Sequence, residues 1–481
     1  MWVLRLTKAG PRRTGAAGSL AIAVGGLASG ALPAREPWGL WTPYGHGVTV
    51  AAAVLAYAGL TLLVLSWWAY GRQFVEKKAT GPGEAGGARD VLVTLGWWAA
   101  PLVLAPPLFS ADVYSYIAQG AMVLEGHDVY AHGPSALGPG SLGADAAASV
   151  GGNWTDTPAP YGPVFLLLAK GVTWATGGVI VPAVFGMRLI AVAALVLIAW
   201  SVRHLAVECG VGEDRALWLA ALNPLLLTHV VGGMHNDGLM IGLMLTGVVC
   251  ALRGRWLLGS AVVALAMMIK SPAAVALLFI GVIVIRDTGR GRSLVLRAAK
   301  GVLGPGLIAA TVAAATTVLS GTGFGWLHTQ SVAATVHTPL SLTSDLGLAA
   351  GHAARLLLGE VDPAAVKSLA QTLGLAAALA VIAFLAYRSL RGRLHPVYGL
   401  GLSLLALVAL SPMVQPWYLL WGMATVAAAT ASGNSRVVRI LMVLSAALVY
   451  ETQPSGHTPP YGFALAAVAA ATAVTALPRC P

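Results

Sequence analysis

The chain alternates between apolar runs and short polar interruptions. Fourteen runs, at 18–33, 47–70, 91–108, 179–202, 215–231, 237–252, 255–269, 272–286, 301–320, 368–387, 396–411, 415–431, 437–452 and 461–477, approach or reach the length needed to span lipid. A hydrocarbon core is about 30 Å thick, or about twenty helical residues. Backbone N–H and C=O groups in lipid must be satisfied within their own segment, which favours helices. The alternation of a membrane β-barrel is absent. The pattern predicts an all-α polytopic membrane protein with about 14 transmembrane helices. Two long interruptions, 109–178 and 321–366, leave room for structure outside the membrane, and connections of that length usually carry function. The run 161–177 reads as an interfacial or re-entrant helix, because counting it as a span reverses the side of every later basic cluster.

Composition agrees with this class: 10% of residues are charged, against about 25% in soluble domains. The net charge of +11 would suit nucleic acid or anionic lipid, but the positions of the charges decide otherwise. With the N-terminus inside, Arg5/Lys8/Arg12/Arg13, Arg72/Lys77/Lys78/Arg89, Arg253/Arg255, Arg286/Arg290/Arg292/Arg297/Lys300, Arg388/Arg391/Arg393 and Arg436/Arg439 all fall in the cytoplasm. Segment 109–160 has no Lys or Arg but holds Asp112, Glu125, Asp128, Asp145 and Asp156, which places it outside. The charge is thus a topology signal. It predicts a multi-pass plasma-membrane protein with both termini cytoplasmic and no nucleic-acid partner. Cys209, Cys250 and Cys480 lie at or near the cytoplasmic face, so no disulfide is implied. The run 18–33 reads as a retained span rather than a signal peptide. The Gly-rich linker 79–89 divides the chain into N-terminal spans with their linker (1–90), a core (91–430) and C-terminal spans (431–481).

The residues able to do chemistry gather on the outer side of this topology. After Pro106-Pro107, a resumed helix would put Asp112, Ser115, Tyr116 and Gln119 on one face. A carboxylate beside apolar surface is expected to have a raised pKa and can act as a general base, although a helix cap explains Asp112 as well. Tyr114 and Tyr116 flank it. Trp154, Asp156 and Tyr161 stand in a proline-stiffened segment, offering flat faces and hydroxyl acceptors to a sugar, or simply a rigid turn. Gly232-Gly233-Met234-His235-Asn236-Asp237 carries more hydrogen-bonding capacity than a turn needs, though Asp237 could cap the next helix. Lys270, in Lys270-Ser271-Pro272, either snorkels or meets an anion such as a lipid-linked phosphate. Arg188 lies within the fourth run, where an arginine is a functional candidate for phosphate or a partner of helix carbonyls. Gln415, Trp417 and Tyr418 close the set, with an interfacial aromatic belt as the plainer reading. Lipid-phosphate sugars need no nucleotide site, and no nucleotide-binding fingerprint is present.

The segments ADVYSYIAQG (111–120), WTDTPAPYGP (154–163), NPLLLTHVVGGMHNDGLMIGL (223–243), IKSPAA (269–274) and VQPWYLLW (414–421) resemble the actinobacterial polyprenol-phosphate-mannose-dependent α-1,6-mannosyltransferases of the GT-C superfamily. The resemblance runs in order over about residues 91–430. It implies a GT-C fold and a polyprenyl-phosphate-mannose donor. The implied acceptor is a lipid-anchored α-1,6-mannan, the core of lipomannan and lipoarabinomannan. Inversion at the anomeric carbon implies a single displacement, with Asp112 matching the family's outer-loop acid and hence the base. His235, Asn236 and Asp237 match its HND element and take donor or acceptor binding. Lys270 takes the donor phosphate. The chain departs from the family in lacking a second acid just after Asp112, so neither metal nor other cofactor is expected. It also has Gly126-His127-Asp128-Val129-Tyr130 where members often show Gly-x-Asn-Pro-Tyr, which makes Asp128 a second candidate base. Another polyprenyl-phosphate sugar such as arabinose would suit the same fold. A lipid-linked-sugar transporter or flippase fits less well, since no inverted repeat is visible.

Overall fold

The computed structural model describes residues 10–76, 85–288, 293–336, 338–430 and 435–477. Arg5, Lys8, Lys77, Lys78, Arg290, Arg292, Cys480 and linker residues 79–84 lie outside these. Among the described residues there are helices and no strands. Helices α1 (Pro11–Ser29), α2 (His46–Glu76) and α3 (Ala85–Leu104) precede α4 (Asp112–Leu124), which starts after the Pro106-Pro107 break. Then come α5 (Pro163–Thr176), α6 (Ile180–Glu208), α7 (Glu213–Ala220), α8 (Asp237–Leu252), α9 (Trp256–Met267) and α10 (Ala274–Asp287). Helix α11 (Leu294–Ser320) leads into the second long connection, from which α12 (Leu342–Leu358) and α13 (Pro363–Leu390) follow. The last four are α14 (Pro396–Ala409), α15 (Leu419–Ala429), α16 (Arg436–Leu448) and α17 (Pro460–Ala476).

Helices α2, α6, α11 and α13 are long and apolar enough to cross a membrane, and α7 with Pro224–Gly232 forms one candidate span bent by 48°. The chain is a membrane protein, but its helices do not confirm about fourteen spans. Five apolar helices, α5, α8, α9, α14 and α17, are only 10–17 residues long, at most about 26 Å. Prolines explain much of this. Pro224 has no N–H with which to continue α7, and Asn223 caps the break. Its Oδ1 accepts from Leu225 N at 2.8 Å while its Nδ2 donates to Leu219 O at 3.1 Å. Pro272 and Pro416 likewise open single 3-10 turns between α9 and α10 and between α14 and α15. Helices α8 and α10 run away from these breaks towards Arg253 and Arg286, so the polar motifs and these basic residues occupy opposite helix ends.

The N-terminal helices are fastened to the remainder. A Cβ on Gly18 would stand 2.7 Å from Gly59 O, so only bare backbone allows α1 and α2 to approach this closely. Trp67 and Trp218 stack at 5.2 Å, and each indole N–H donates to the other's carbonyl at 3.0 Å, joining α2 to α7. Helix α5 lies along α4, with Thr173 Oγ1 donating to Ile117 O at 3.1 Å and Trp174 75% exposed.

Candidate active site

A cavity of about 750 Å³ opens where the broken helices meet. Asp112, Ser115, Trp154, Tyr161, Lys270, Gln415, Trp417 and Tyr418 all line it. Aliphatic side chains of α13 and α14 (Leu375, Leu379, Ile382 and Leu407) line it as well. Asp112 begins α4, and its side chain is 28% exposed. Tyr116, one turn further on, donates to Asp112 Oδ2 at 3.4 Å, as the helical spacing predicts. Tyr116, Tyr161 and Phe165 pack edge to face beneath it, with centroids 4.7–5.4 Å apart.

His235 Nδ1 lies 3.2 Å from Asp112 Oδ2, a contact that becomes an ion pair when the imidazole carries a proton. Catalytic contacts of this kind commonly tighten only once substrate is bound. The raised pKa expected from the sequence is overturned. Burial pushes the Asp112 carboxyl up, but His235, the Lys270 charge and Ser110 together hold it below the usual carboxylate range. Asp112 is therefore an ionised acceptor at neutral pH.

The two segments that carry this pair are both strained. Phe109 and Met234 have φ of 59° and 55°, in the left-handed region that non-glycine residues avoid at a cost of about 1–3 kcal/mol each. Phe109 is held there by its N–H bond to Pro454 O at 2.8 Å. Met234 is held by bonds on either side, Gly233 N to Thr228 O at 2.8 Å and His235 N to His229 O at 3.1 Å. Residues Leu227–Gly232 form a π-helical turn, a feature that recurs at functional sites. Behind the cavity, His235 stacks on Trp417 at 3.6 Å, and His229 approaches the same indole at 4.9 Å. Both ring nitrogens of His229 and both amide atoms of Asn236 are buried without a hydrogen-bond partner among the described residues. Such groups are costly where they serve structure alone.

Lys270 and Asp237 form the second centre. Lys270 Nζ donates to both carboxylate oxygens at 2.9 Å, and Asp237 also accepts from the indoles of Trp417 at 3.2 Å and Trp421 at 2.7 Å. Asp237 is 1% exposed, and its side chain makes no cap for α8. The ammonium stands 4.5 Å from the Tyr418 ring centroid. Two of the ammonium's N–H groups are directed at Asp237 and the group also interacts with Tyr418, while the side chain remains 17% exposed.

Tyr116, His235, Asn236 and Asp237 do not line the cavity themselves but stand behind its wall, and four other predicted site residues lie apart from it. Arg188, expected to meet phosphate, is 1% exposed and donates instead to Leu102 O, to Pro106 O at 3.3 Å and to Gly232 O at 3.4 Å. Leu102 O is free to accept because Pro106, four residues on, has no N–H. Arg188 thereby ties the end of α3 to the π-turn and fixes the Asp112 and His235 segments relative to each other. Tyr114 faces away from Asp112 and donates to Ala31 O at 2.6 Å. Asp128 is exposed, accepts from Tyr130 N at 2.9 Å in a local turn and does not line this cavity. Asp156 is exposed and accepts from Ser135 Oγ at 2.5 Å, stiffening the loop.

Sequence reasoning missed His229, whose position in an apolar run was the available signal. It missed Trp421 as a carboxylate ligand. It also passed over the connection between α16 and α17, which supplies Glu451, Thr452, Ser455 and His457 to the cavity lining. Glu451 is the single acid after Asp362 and sits at the end of an apolar run.

Fold and site together define a helical membrane protein with a buried polar centre whose cavity continues between aliphatic side chains. Residues 12–286 match the MptA/B family, described as alpha-(1->6)-mannopyranosyltransferase, N-terminal domain, and residues 343–479 match the MptB C-terminal domain. The chain belongs to the alpha-(1->6)-mannopyranosyltransferase family. It is 35% identical to an alpha-(1->6)-mannopyranosyltransferase of Mycobacterium tuberculosis, over 97% of this chain and 85% of that one. It is 33% identical to alpha-(1->6)-mannopyranosyltransferase B of Corynebacterium glutamicum, over 94% and 77%. The cryo-EM structure of arabinosyltransferase EmbB from Mycobacterium smegmatis aligns with 90% of this chain and 42% of its own, at 16% identity and a TM-score of 0.37, too distant to argue from.

Proposed function

We propose that this protein is an inverting mannosyltransferase of GT-C type. It moves mannose from polyprenyl-phosphate-mannose to an α-1,6-mannan acceptor of cell-envelope lipoglycan, on the extracytoplasmic face of the plasma membrane. The observation that carries the reading is the cavity, where a carboxylate, a partly exposed ammonium and aliphatic walls share one space. A lipid-phosphate sugar has the matching parts.

In the proposed reaction Asp112 accepts the proton of the acceptor hydroxyl as the oxygen attacks the anomeric carbon. The bond from that carbon to the phosphate oxygen breaks, and polyprenyl phosphate leaves with the electron pair. Lys270 presents its ammonium to the phosphate, while Asp237, itself held by the two indoles, fixes that ammonium in place. Trp417 is stacked on His235, and the Tyr418 ring on Trp421 with Lys270 4.5 Å from its centroid, so Trp154, Tyr161 and Gln415, with the Tyr418 hydroxyl, supply sugar contacts. His235 holds Asp112 ionised. Asn236, with a buried amide lacking partners, takes a sugar hydroxyl as its ligand.

The test uses membranes containing wild type, Asp112→Asn or Asp128→Asn, given radiolabelled polyprenyl-phosphate-mannose and a short α-1,6-mannoside, with and without chelator. Transfer by wild type and Asp128→Asn that is insensitive to chelator, with a loss of at least about a hundredfold in Asp112→Asn, is the expected result. Equal transfer by wild type and Asp112→Asn removes Asp112 from the mechanism. No transfer by folded wild type rejects mannose as the donor sugar.

A further inference from the structure

The proposed reaction accounts for one carboxylate in the cavity, but the cavity has a second. Glu451 follows α16, is 3% exposed, and lines the same space as Asp112. Its position is fixed on several sides. Thr452 Oγ1 donates to Glu451 Oε2 at 2.7 Å. Helix α17 presents Gly462 to its backbone so closely that a Cβ there would meet Glu451 O at 2.2 Å. The residues after it form a tight turn, with Gln453 N bonded to His457 O at 2.9 Å and Gly456 N to Gln453 O at 2.8 Å. Gly456 has φ of 87°, and a Cβ on it would lie 3.0 Å from Ser110 Cα. Together with the bond from Phe109 N to Pro454 O, this makes the segment part of the wall that holds Asp112.

That placement assigns a side of the reaction. The acceptor hydroxyl must come within hydrogen-bond reach of the base, so the acceptor sugar lies along the wall that carries Asp112. The apolar stretch from α13 and α14 suits the lipid end of the donor. A carboxylate can accept from two neighbouring hydroxyls, which is how a buried acid recognises a sugar without reacting with it. We infer that Glu451 is an acceptor-binding residue, accepting hydrogen bonds from hydroxyls of the terminal acceptor sugar and thereby selecting which hydroxyl faces Asp112. This rests on the glycosyl-transfer reading for what the acceptor is, but its test need not involve transfer.

Full-length protein in nanodiscs is titrated with a soluble α-1,6-mannobioside by calorimetry, in the absence of donor. Wild type should bind it, and Glu451→Gln should bind it roughly tenfold to a hundredfold more weakly, the loss of one or two hydrogen bonds to a charged group. Glu451→Asp, which keeps the charge on a shorter arm, should fall between and covers the case in which Glu451→Gln does not fold. In transfer assays Glu451→Gln should raise the acceptor KM by a similar factor and leave the donor KM within twofold. Deoxygenating the bound hydroxyl should weaken wild type and leave Glu451→Gln unaffected. Equal mannobioside binding by wild type and both variants, or matching shifts in donor and acceptor KM, overturns the inference. Binding by wild type without any transfer would refute the proposed reaction while leaving the inference standing.

Discussion

Replacing Lys270 by methionine should damage the fold far more than neutralising its partner. Asp237 is 1% exposed and accepts four hydrogen bonds, two of them from Lys270. Lys270→Met leaves that carboxylate buried with only two neutral indole donors, and stranding a buried charge costs about 3–5 kcal/mol. This is roughly two to four powers of ten in the folded-to-unfolded ratio. Asp237→Asn instead leaves an ammonium that is 17% exposed on the cavity wall, where water can reach it, at a cost of about 1–2 kcal/mol. The double variant Lys270→Met/Asp237→Asn removes the stranded charge and should recover about 2 kcal/mol relative to Lys270→Met, because the two sites are coupled. The midpoint of thermal loss of monodisperse protein, read by fluorescence-detected size exclusion in detergent, ranks the variants. The expected order is wild type, Asp237→Asn, the double variant and then Lys270→Met. If the double variant were no more stable than Lys270→Met, or Asp237→Asn were the least stable, the ion pair would not have the role assigned to it.

Two further outcomes follow from the same geometry. Because Asp112 is held below the usual carboxylate range, it is already deprotonated at neutral pH, and the acid limb of kcat/KM belonging to it should lie below the range of an ordinary carboxylate. His235→Leu removes one cause of that depression while leaving the burial that opposes it, so the limb should move to higher pH than in wild type, and coincident acid limbs in the two proteins would contradict this. Arg188→Met orphans the carbonyls of Leu102 and Pro106, while Gly232 O keeps its bond from Leu108 N, at about 1–3 kcal/mol for each one left unsatisfied. It should lower the thermal midpoint by several degrees yet leave the donor KM of the surviving folded fraction unchanged, whereas a raised donor KM would return Arg188 to phosphate binding.

The parts of this arrangement that could be read from the sequence are those set by local rules. Helical spacing predicts that Asp112, Ser115 and Tyr116 share a face, and the same spacing, applied strictly, turns Tyr114 away towards Ala31. The two prolines mark the break before Asp112, but nothing local reveals that the carbonyl freed by Pro106 is taken by Arg188. Both His235-Asn236-Asp237 and Lys270 stood out as polar residues among apolar runs, while their pairing depends on how α8 and α9 fold back on each other. The count of about fourteen spans is left unconfirmed for a related reason. Hydropathy registers how apolar a run is and is insensitive to a single Asn-Pro or Ser-Pro step that ends a helix early. Glu451 was overlooked because it approaches Asp112 only through the tertiary fold.

The seam between the early and late parts of the chain bears on biogenesis. Tyr450 OH donates to Thr61 Oγ1 at 3.1 Å across 389 sequence positions, and the strained Phe109 is bonded to Pro454. A ribosome therefore releases Asp112, His235 and Lys270 into the membrane well before the segment that completes their enclosure has been made. During that interval the unpartnered polar atoms of His229 and Asn236 must be tolerated by lipid or by an insertase. A polypeptide interrupted after α15 would keep most of the residues proposed here for chemistry and lose the clasp that holds Phe109. Contacts this distant along the chain also form slowly, so quality control of the nascent protein acts on a molecule whose polar cavity is the last part to be closed.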